Sequence, residues 1–276
     1  MTESDKTSEI WQKAVEQKAK NKTRIGQLLA QAKKGRIVPI SLPGDSRTAL
    51  RLLMRERRTE RYRTMANVDS LTGLSNKRFL YDLLPLELAR VQRGKSLAVV
   101  SGDLQELKRY NDTFGHDGGD RAIQAVSEGM KRTIRDTDTA AHLSGDEFAV
   151  LLPDISPQQA GKESLYATQK EMSAAVALRM NRAIHEQTVQ DANLDQKQTI
   201  HMDIGVTIAQ KDDTPESVLK CSDEAMYQMK RLNKTTNNQY ISSIVIATRE
   251  DRTTVFDRAS FGEDGRSIHF DRLTSA

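Results

Sequence analysis

The sequence predicts an α+β fold in which helices flank a mixed β-sheet and a helical stalk comes first. Three observations predict it. Residues 97–100 form a short apolar run, which is typical of a strand buried on both faces. Residues 199–208 alternate apolar and polar side chains, which is the clearest strand signal in the sequence. In the segments between these strands, apolar residues recur at helical spacing. Helices that alternate with strands along a chain pack on the faces of the sheet.

Composition limits the class of protein. The chain has 276 residues, of which 37% are hydrophobic, and this is enough for one sizeable domain with an appendage. The net charge of +4 is mild and aromatic residues make up only 5%, so we do not expect nucleic-acid binding. The single cysteine, Cys221, excludes an internal disulfide. Because neither a signal peptide nor an 18-residue apolar run is found, we expect a cytoplasmic protein without a membrane span.

Residues 1–66 are predicted to form the stalk. Apolar side chains recur at helical spacing over residues 1–34, and residues 35–44 interrupt them with two prolines and a glycine at each end. A second helix is predicted over residues 45–66, where a few apolar positions give way to arginines. These arginines suit a solvated coiled-coil flank, or a surface for phosphate, a membrane or an acidic partner. We expect the stalk to dimerise the chain or to bind a regulatory protein.

A larger domain is predicted over residues 67–241. Residues 69–78 read as a capped turn that leads into a helix, in which Pro85 is expected to cause a kink. After the strand at residues 97–100, another helix is predicted to start near Gly119.

The second half of this domain follows the same alternation. Residues 161–188 have a helical pattern, and the polar residues 187–198 are interpreted as a loop. After the strand at residues 199–208, Pro215 is predicted to occupy the first position of a helix. The tail, residues 242–276, is expected to supply one closing strand.

Polar side chains follow the strand at residues 97–100. Asp103 comes where that strand should end. The polar residues after it are Lys108, Asn111, His116 and Asp120. Open α/β sheets bind ligands beyond strand ends, so a site is one interpretation of this segment and a polar turn is the other.

A second acidic group follows a predicted hairpin. Ser144 and Gly145 separate two apolar arms, which favours a tight turn, and Asp146 and Glu147 come directly after it. Taken alone, two adjacent acidic residues after a turn are usually side chains on the solvent-exposed surface. Beside Asp103, it could complete an oxygen cage for Mg²⁺, which is held by one or two carboxylates and by substrate phosphates.

Four segments together resemble a known family. Residues 69–78 (DSLTGLSNKR), 103–120, 144–148 (SGDEF) and 225–230 (AMYQMK) are similar to the motifs of the GGDEF-domain diguanylate cyclases, in the order of that family. The resemblance covers residues 67–241. It implies a palm-like sheet related to nucleotidyl cyclases. It also implies a dimer that joins two GTP molecules into cyclic di-GMP and releases two pyrophosphates.

The resemblance implies a metal site and catalytic groups. Asp103, Asp146 and the backbone carbonyl of Leu104 are expected to bind Mg²⁺, with Mn²⁺ as an alternative. Glu147 is expected to help hold the metal or to accept the proton of the 3′-hydroxyl, and Lys230 to act with it at the phosphates.

Other residues are assigned to the nucleotide and to the product. Asn111 and Asp120 match the guanine-binding residues of the family. The substrate-binding set is Lys108, Asn111, His116, Asp120, Gly145, Lys230 and Lys234. Arg135 and Asp138 match its RxxD site for inhibition by cyclic di-GMP.

Several positions depart from the family pattern. They are Ser144 for the first glycine of the signature, His142 for an arginine, Gln105 for an acidic residue, Leu107 for a phenylalanine and Lys234 for an arginine. Ser144 would be strained if its φ were positive. None of the departures removes a predicted metal ligand, so they bear on rate more than on reaction class. The alternative function is a degenerate domain that binds GTP or cyclic di-GMP as a receptor or scaffold without catalysis.

Overall fold

The computed structural model describes residues 66–155, 162–190, 197–236, 243–250 and 253–273. The predicted stalk lies outside these residues and stays a prediction. Tyr62–Ala276 forms one compact unit. Among the described residues, each helix is either too short or too polar to cross a lipid bilayer.

A mixed sheet with helices on its faces confirms the predicted fold class. The helices are α1 (Lys77–Gln92), α2 (Leu107–Phe114), α3 (His116–Lys131), α4 (Lys162–His185) and α5 (Pro215–Thr235). The strands are β1 (Ser75–Asn76), β2 (Leu97–Leu104), β3 (Thr139–Ser144), β4 (Glu147–Pro153), β5 (Thr188–Gln190), β6 (Lys197–Thr199), β7 (Met202–Ile208), β8 (Ile244–Glu250), β9 (Thr253–Phe261) and β10 (Ile268–Arg272). Eight of them form one sheet in the order β1-β3-β4-β2-β7-β8-β9-β10, and β5 and β6 form a second sheet of two strands.

Strands β2 and β7 lie side by side in the sheet and every one of their residues is buried. Helices cover both faces of these strands. Met202, Ile204, Val206 and Ile208 belong to the core on the side of α3 and α4, as their alternation predicted. On the other face, Gly205 lets α5 approach, since an added Cβ would lie 2.1 Å from the backbone nitrogen of Met226.

Two caps fix the starts of the helices on the α5 face of the sheet. The side chain of Asn76 accepts a hydrogen bond from the backbone nitrogen of Phe79 and begins α1, which continues through Pro85. Thr214 and Ser217 cap α5 reciprocally, and Pro215 is its first residue, as predicted.

Helix α3 begins at His116, three residues before the predicted start at Gly119. Gly118 and Gly119 are therefore buried in its first turn, where α2 packs closely against it. A Cβ on Gly118 would lie 2.2 Å from the Cβ of Phe114. The glycines are needed for helix packing, so their helix-breaking tendency misled the sequence interpretation.

Three other sequence interpretations need correction. The predicted loop at residues 187–198 contains β5 and the start of β6, which pair with each other. The strand predicted over residues 199–208 begins only at Met202, because Thr199 belongs to β6. The tail supplies three strands instead of one: β8 lies parallel to β7, and β9 and β10 then extend the sheet. An edge strand leaves unpaired backbone groups, and β9 provides partners for those of β8.

Candidate active site

Three carboxylates lie in one row across neighbouring strands. Asp103 in β2 is paired directly with Glu147 in β4 and with Asp203 in β7. Residues directly opposite each other on antiparallel strands point to the same face, with Cβ atoms about 4.5–5.5 Å apart. Like charges in such positions repel each other, so this row requires compensating groups.

Helix α5 supplies the compensating cation. The Nζ of Lys230 donates a hydrogen bond to the Oδ1 of Asp103 at 2.8 Å. Burial raises the pKa of Asp103, Lys230 opposes this rise, and the charges of Asp146 and Glu147 add to it. Burial disfavours the charged form of Lys230, but the bond to Asp103 and the nearby carboxylates outweigh it and raise the pKa of Lys230. The site is therefore strongly anionic and holds its own cation.

The predicted hairpin brings Asp146 to the end of β2. Gly145 has a φ of +55°, in the left-handed region that favours glycine. Ser144 is not among the described residues with positive φ, so the anticipated strain at this position is absent. The backbone carbonyl of Asp146 accepts a hydrogen bond from the backbone nitrogen of Leu104 at 2.9 Å. This bond places the predicted metal ligands Asp103, Leu104 and Asp146 next to one another.

His142 ties this turn to the first motif of the sequence. One ring nitrogen, Nε2, lies 3.1 Å from the carbonyl oxygen of Gly145, and the other, Nδ1, lies 3.1 Å from the Oδ1 of Asp69. The ring is buried and lies 5.0 Å, between centroids, from Phe148. From the sequence, His142 was noted only because it replaces an arginine of the family pattern, and this link was not predicted.

Asp69 is itself held by a local turn. Its Oδ1 accepts hydrogen bonds from the nitrogen and the hydroxyl of Thr72, at 2.9 and 2.6 Å. Partial burial acts to raise the pKa of Asp69, but the bonds from Thr72 and the nearness of His142 outweigh it and lower the pKa. A charged carboxylate at the start of the domain thus anchors the turn of the signature.

Asp203 was missed by the sequence interpretation. It is 2% exposed, and its Oδ1 accepts hydrogen bonds from Gln105 at 2.8 Å and from Asn233 at 2.6 Å. Burial raises the pKa of Asp203, and the two amides oppose this rise. The available signal was an acidic residue inside an otherwise apolar strand pattern, since carboxylates are rarely buried without partners.

The two predicted guanine-binding residues are brought together by the packing of α2 on α3. Asn111, on α2, lies against Gly119, so close that a Cβ there would be 2.1 Å from its Oδ1. Asp120 follows Gly119 and is exposed. Among the described residues we find no hydrogen bond or ion pair for the three exposed side chains of Lys108, His116 and Lys234.

Arg135 and Asp138 lie away from the carboxylate row. The Oδ2 of Asp138 accepts a hydrogen bond from the backbone nitrogen of Arg135 at 2.8 Å, which closes the turn before β3. Ser144 is at the other end of this six-residue strand, and six residues in a strand span roughly 20 Å. The Arg135 side chain is exposed. The two residues can therefore bind a ligand without touching the carboxylate row.

The oxygen ligands fit a hard divalent cation. Asp103 and Asp146 offer carboxylates, and the backbone of Leu104, which follows Asp103, is hydrogen-bonded to that of Asp146. In the described parts of the chain, no three His, Cys, Asp or Glu side chains already surround one point. Mg²⁺ needs only one or two carboxylates when water and substrate phosphates complete its shell. The ammonium of Lys230 on Asp103 shows that this position favours a positive charge.

Residues 66–236 match the family described as diguanylate cyclase, GGDEF domain. The cyclic di-GMP phosphodiesterase NbdA of Pseudomonas aeruginosa is 32% identical over 212 residues, which cover 75% of this chain and 25% of NbdA. The probable diguanylate cyclase DgcJ of Escherichia coli is 31% identical over 164 residues, which cover 59% of this chain and 29% of DgcJ. The chain thus spans only 25% and 29% of the length of these two relatives.

A solved structure shows the same fold. The coiled coil and GGDEF domain of DgcB from Caulobacter crescentus, in complex with c-di-GMP, matches with a TM-score of 0.58 and 22% identity. The match covers 67% of this chain and 92% of that chain.

Proposed function

The chain belongs to the GGDEF family, and on that premise we propose that it is a diguanylate cyclase which condenses two GTP molecules into cyclic di-GMP. The observation that carries the proposal is the hydrogen bond between the Leu104 nitrogen and the Asp146 carbonyl. It sets the signature turn beside Asp103, so that two carboxylates and a lysine meet where a metal-bound triphosphate would lie.

Mg²⁺, or Mn²⁺ in its place, would be held by Asp103, Asp146 and the carbonyl of Leu104. When bound, such an ion makes the 3′-hydroxyl a better nucleophile and neutralises charge on the leaving pyrophosphate. Glu147 is exposed at the edge of the carboxylate row, where it can accept the proton of the 3′-hydroxyl. Phosphoryl transfer depends mostly on positioning and charge neutralisation, and these groups supply both.

The base is selected between α2 and α3. Guanine offers donors at N1 and N2, which a carboxylate can accept, and acceptors at O6 and N7, to which an amide can donate. In the proposal, Asp120 is the carboxylate that binds N1 and N2, and Asn111 is the amide that binds O6 or N7. Adenine has no donor at N1, so it would leave Asp120 unpaired, and an unpaired polar group gives strong discrimination.

The phosphates are bound by backbone and lysines. Apart from its two chain neighbours, no described residue has an atom within 4 Å of the position that a Cβ would occupy on Gly145, so the turn leaves space for a phosphate. Lys108, Lys230 and Lys234 act as point charges on flexible side chains. Lys230 is the one already fixed at the carboxylate row.

Each domain binds one nucleotide, so joining two of them by symmetry requires two domains that face each other. We therefore propose a homodimer as the active state. Residues 1–66 are the expected organiser, either by self-association or by binding a regulatory protein. The product is proposed to inhibit the enzyme at Arg135 and Asp138, since an arginine fork and a carboxylate suit phosphate and a guanine edge.

The deciding experiment incubates the purified chain with GTP and Mg²⁺ and separates the products by chromatography. We expect cyclic di-GMP and pyrophosphate, and a loss of at least about a thousandfold in rate for Asp103→Asn and for Asp146→Asn, with the fold retained. Full activity in either variant would remove the metal assignment.

A second arm supplies cyclic di-GMP instead of GTP, because the name of NbdA describes the breakdown of this molecule. If GTP stays intact in the first arm and cyclic di-GMP binds without being broken down in the second, the chain is a receptor or scaffold. Hydrolysis of cyclic di-GMP would identify a phosphodiesterase. Either result would replace the proposal.

A further inference from the structure

Asp203 lies beside the proposed metal site, but no proposed step of catalysis uses it. It is the direct partner of Asp103 across β2 and β7, on the face of the sheet that carries α5. The exposed fraction of Asp203 is 2%, compared with 8% for Asp103. A buried carboxylate that is not a ligand is costly to keep, so its contacts and its neighbours require a physical explanation.

Two amides from different elements hold Asp203 in place. Gln105 follows the predicted ligand Leu104 and donates to its Oδ1, and Asn233 on α5 donates to the same oxygen. Asn233 is one helical turn from Lys230, so both project from the same side of α5. The second oxygen of Asp203 accepts no hydrogen bond among the described residues, and it is available to a further donor.

Lys230 is the donor that metal binding would displace from its present partner. Its ammonium binds Asp103, and a divalent cation on Asp103 would displace it by like-charge repulsion. Three carboxylates lie near enough to act on this ammonium, namely Asp103, Asp203 and Asp146. Two of these are proposed metal ligands, and only Asp203 stays free when the metal is bound.

We propose that Asp203 is a positioning residue, which receives the ammonium of Lys230 when Asp103 binds a divalent cation. The carboxylate keeps the ammonium close to the site, where it can meet the triphosphate. The proposal rests on the proposed function in one respect, because it requires Asp103 to be a metal ligand.

A double-mutant cycle on metal binding tests this transfer without measuring turnover. Mn²⁺ alone is titrated into the full chain, without GTP, and binding is followed by water-proton relaxation. Asp203→Asn removes the charge but keeps an oxygen for both amides. We expect it to weaken Mn²⁺ binding about tenfold when Lys230 is present, and less than about threefold in the Lys230→Met background.

The size of the coupling decides the outcome. If Asp203 only adds negative charge near the metal, Asp203→Asn weakens Mn²⁺ binding equally with and without Lys230. Equal weakening in the two backgrounds would therefore overturn the proposal. Asp103→Asn is the control for the site itself. If that variant binds Mn²⁺ as well as the wild type does, the metal site of the proposed function is wrong. If it loses Mn²⁺ while the cycle is additive, only the role of Asp203 is wrong.

Folding of each variant is checked by circular dichroism, and Asp203→Ser offers a second way to remove the charge. A measurement on the wild type depends on neither variant. The ammonium resonance of Lys230, identified by its loss in Lys230→Met, should stay protected from solvent exchange when Mg²⁺ saturates the protein. Exchange as fast as that of exposed lysines would overturn the proposal, because the ammonium would then have no carboxylate to receive it.

Discussion

Asp69 and His142 join two motifs that lie far apart in the chain. The two ring nitrogens of His142 lie within hydrogen-bond distance of the Asp69 carboxylate and of the Gly145 carbonyl. A histidine at the position of the family's arginine can thus still link these two groups, and for this reason the departure is compatible with an intact turn.

The lowered pKa of Asp69 predicts how stability depends on pH. In the unfolded chain the pKa is ordinary, so between the two values the folded protein binds fewer protons, and stability rises with pH. The contribution of Asp69 is therefore complete above its ordinary pKa and is lost as pH falls through the lowered one. Asp69→Asn should reduce stability at pH 6 by on the order of 1 kcal/mol, and by progressively less in acid.

Urea unfolding between pH 3 and pH 7 measures this difference. Asp112→Asn is the matched control, because Asp112 is exposed and makes no ion pair among the described residues. A difference between wild type and Asp69→Asn that stays constant down to pH 3 would contradict the assigned electrostatic role.

At the scale of elements, the close approach of α2 and α3 positions a predicted guanine-binding residue. A Cβ on Gly119 would meet the end of the Asn111 side chain, which can move, whereas one on Gly118 would meet the Cβ of Phe114 in α2. Alanine is also a better helix former than glycine by about 1 kcal/mol. Gly119→Ala should therefore keep or raise the melting temperature and displace Asn111.

Kinetics with GTP test this prediction. We expect Gly119→Ala and Asn111→Ala each to raise KM for GTP about tenfold, and Arg121→Ala, at an exposed position of the same helix, to leave it unchanged. An unaltered KM in Gly119→Ala with a normal fold would mean that Asn111 does not bind the base.

The sequence predicted those parts of the fold and site that local pattern determines. The buried strand at β2, the hairpin at Gly145 and the start of α5 follow from apolar runs, turn residues and caps. The bonds from Gln105 and Asn233 to Asp203 could not be predicted, because they depend on strand register and on how α5 lies over β7. The tail strands were underestimated for the same reason, since each depends on an edge created by the strand before it.

At the scale of the whole molecule, the proposed reaction requires two active sites to meet. The proposed role of residues 1–66 is to raise the effective concentration of one domain beside the other. A chain without residues 1–60 should therefore show specific activity that rises steeply with protein concentration, whereas full-length protein shows little dependence. Assays across a hundredfold range of enzyme concentration measure this. Equal activity of both forms at the lowest concentration would assign the stalk another role.

The proposed inhibition by product would also be a property of the assembly, because the turn of Arg135 and Asp138 lies at the end of β3 opposite the signature turn. Cyclic di-GMP bound there would not compete with GTP for the carboxylate row. In the proposal, it slows turnover by holding two domains so that their sites do not face each other. Arg135→Ala should therefore leave the initial rate nearly unchanged and remove the slowdown as product accumulates.

Full progress curves at equal substrate, with cyclic di-GMP added at the start in a second series, measure both effects. Arg132→Ala is the matched control, since this arginine is exposed at the C-terminal cap of α3, three residues before Arg135 and outside the motif. It should slow as the wild type does. If Arg135→Ala reaches the same plateau as the wild type, Arg135 and Asp138 serve only to close the turn between α3 and β3.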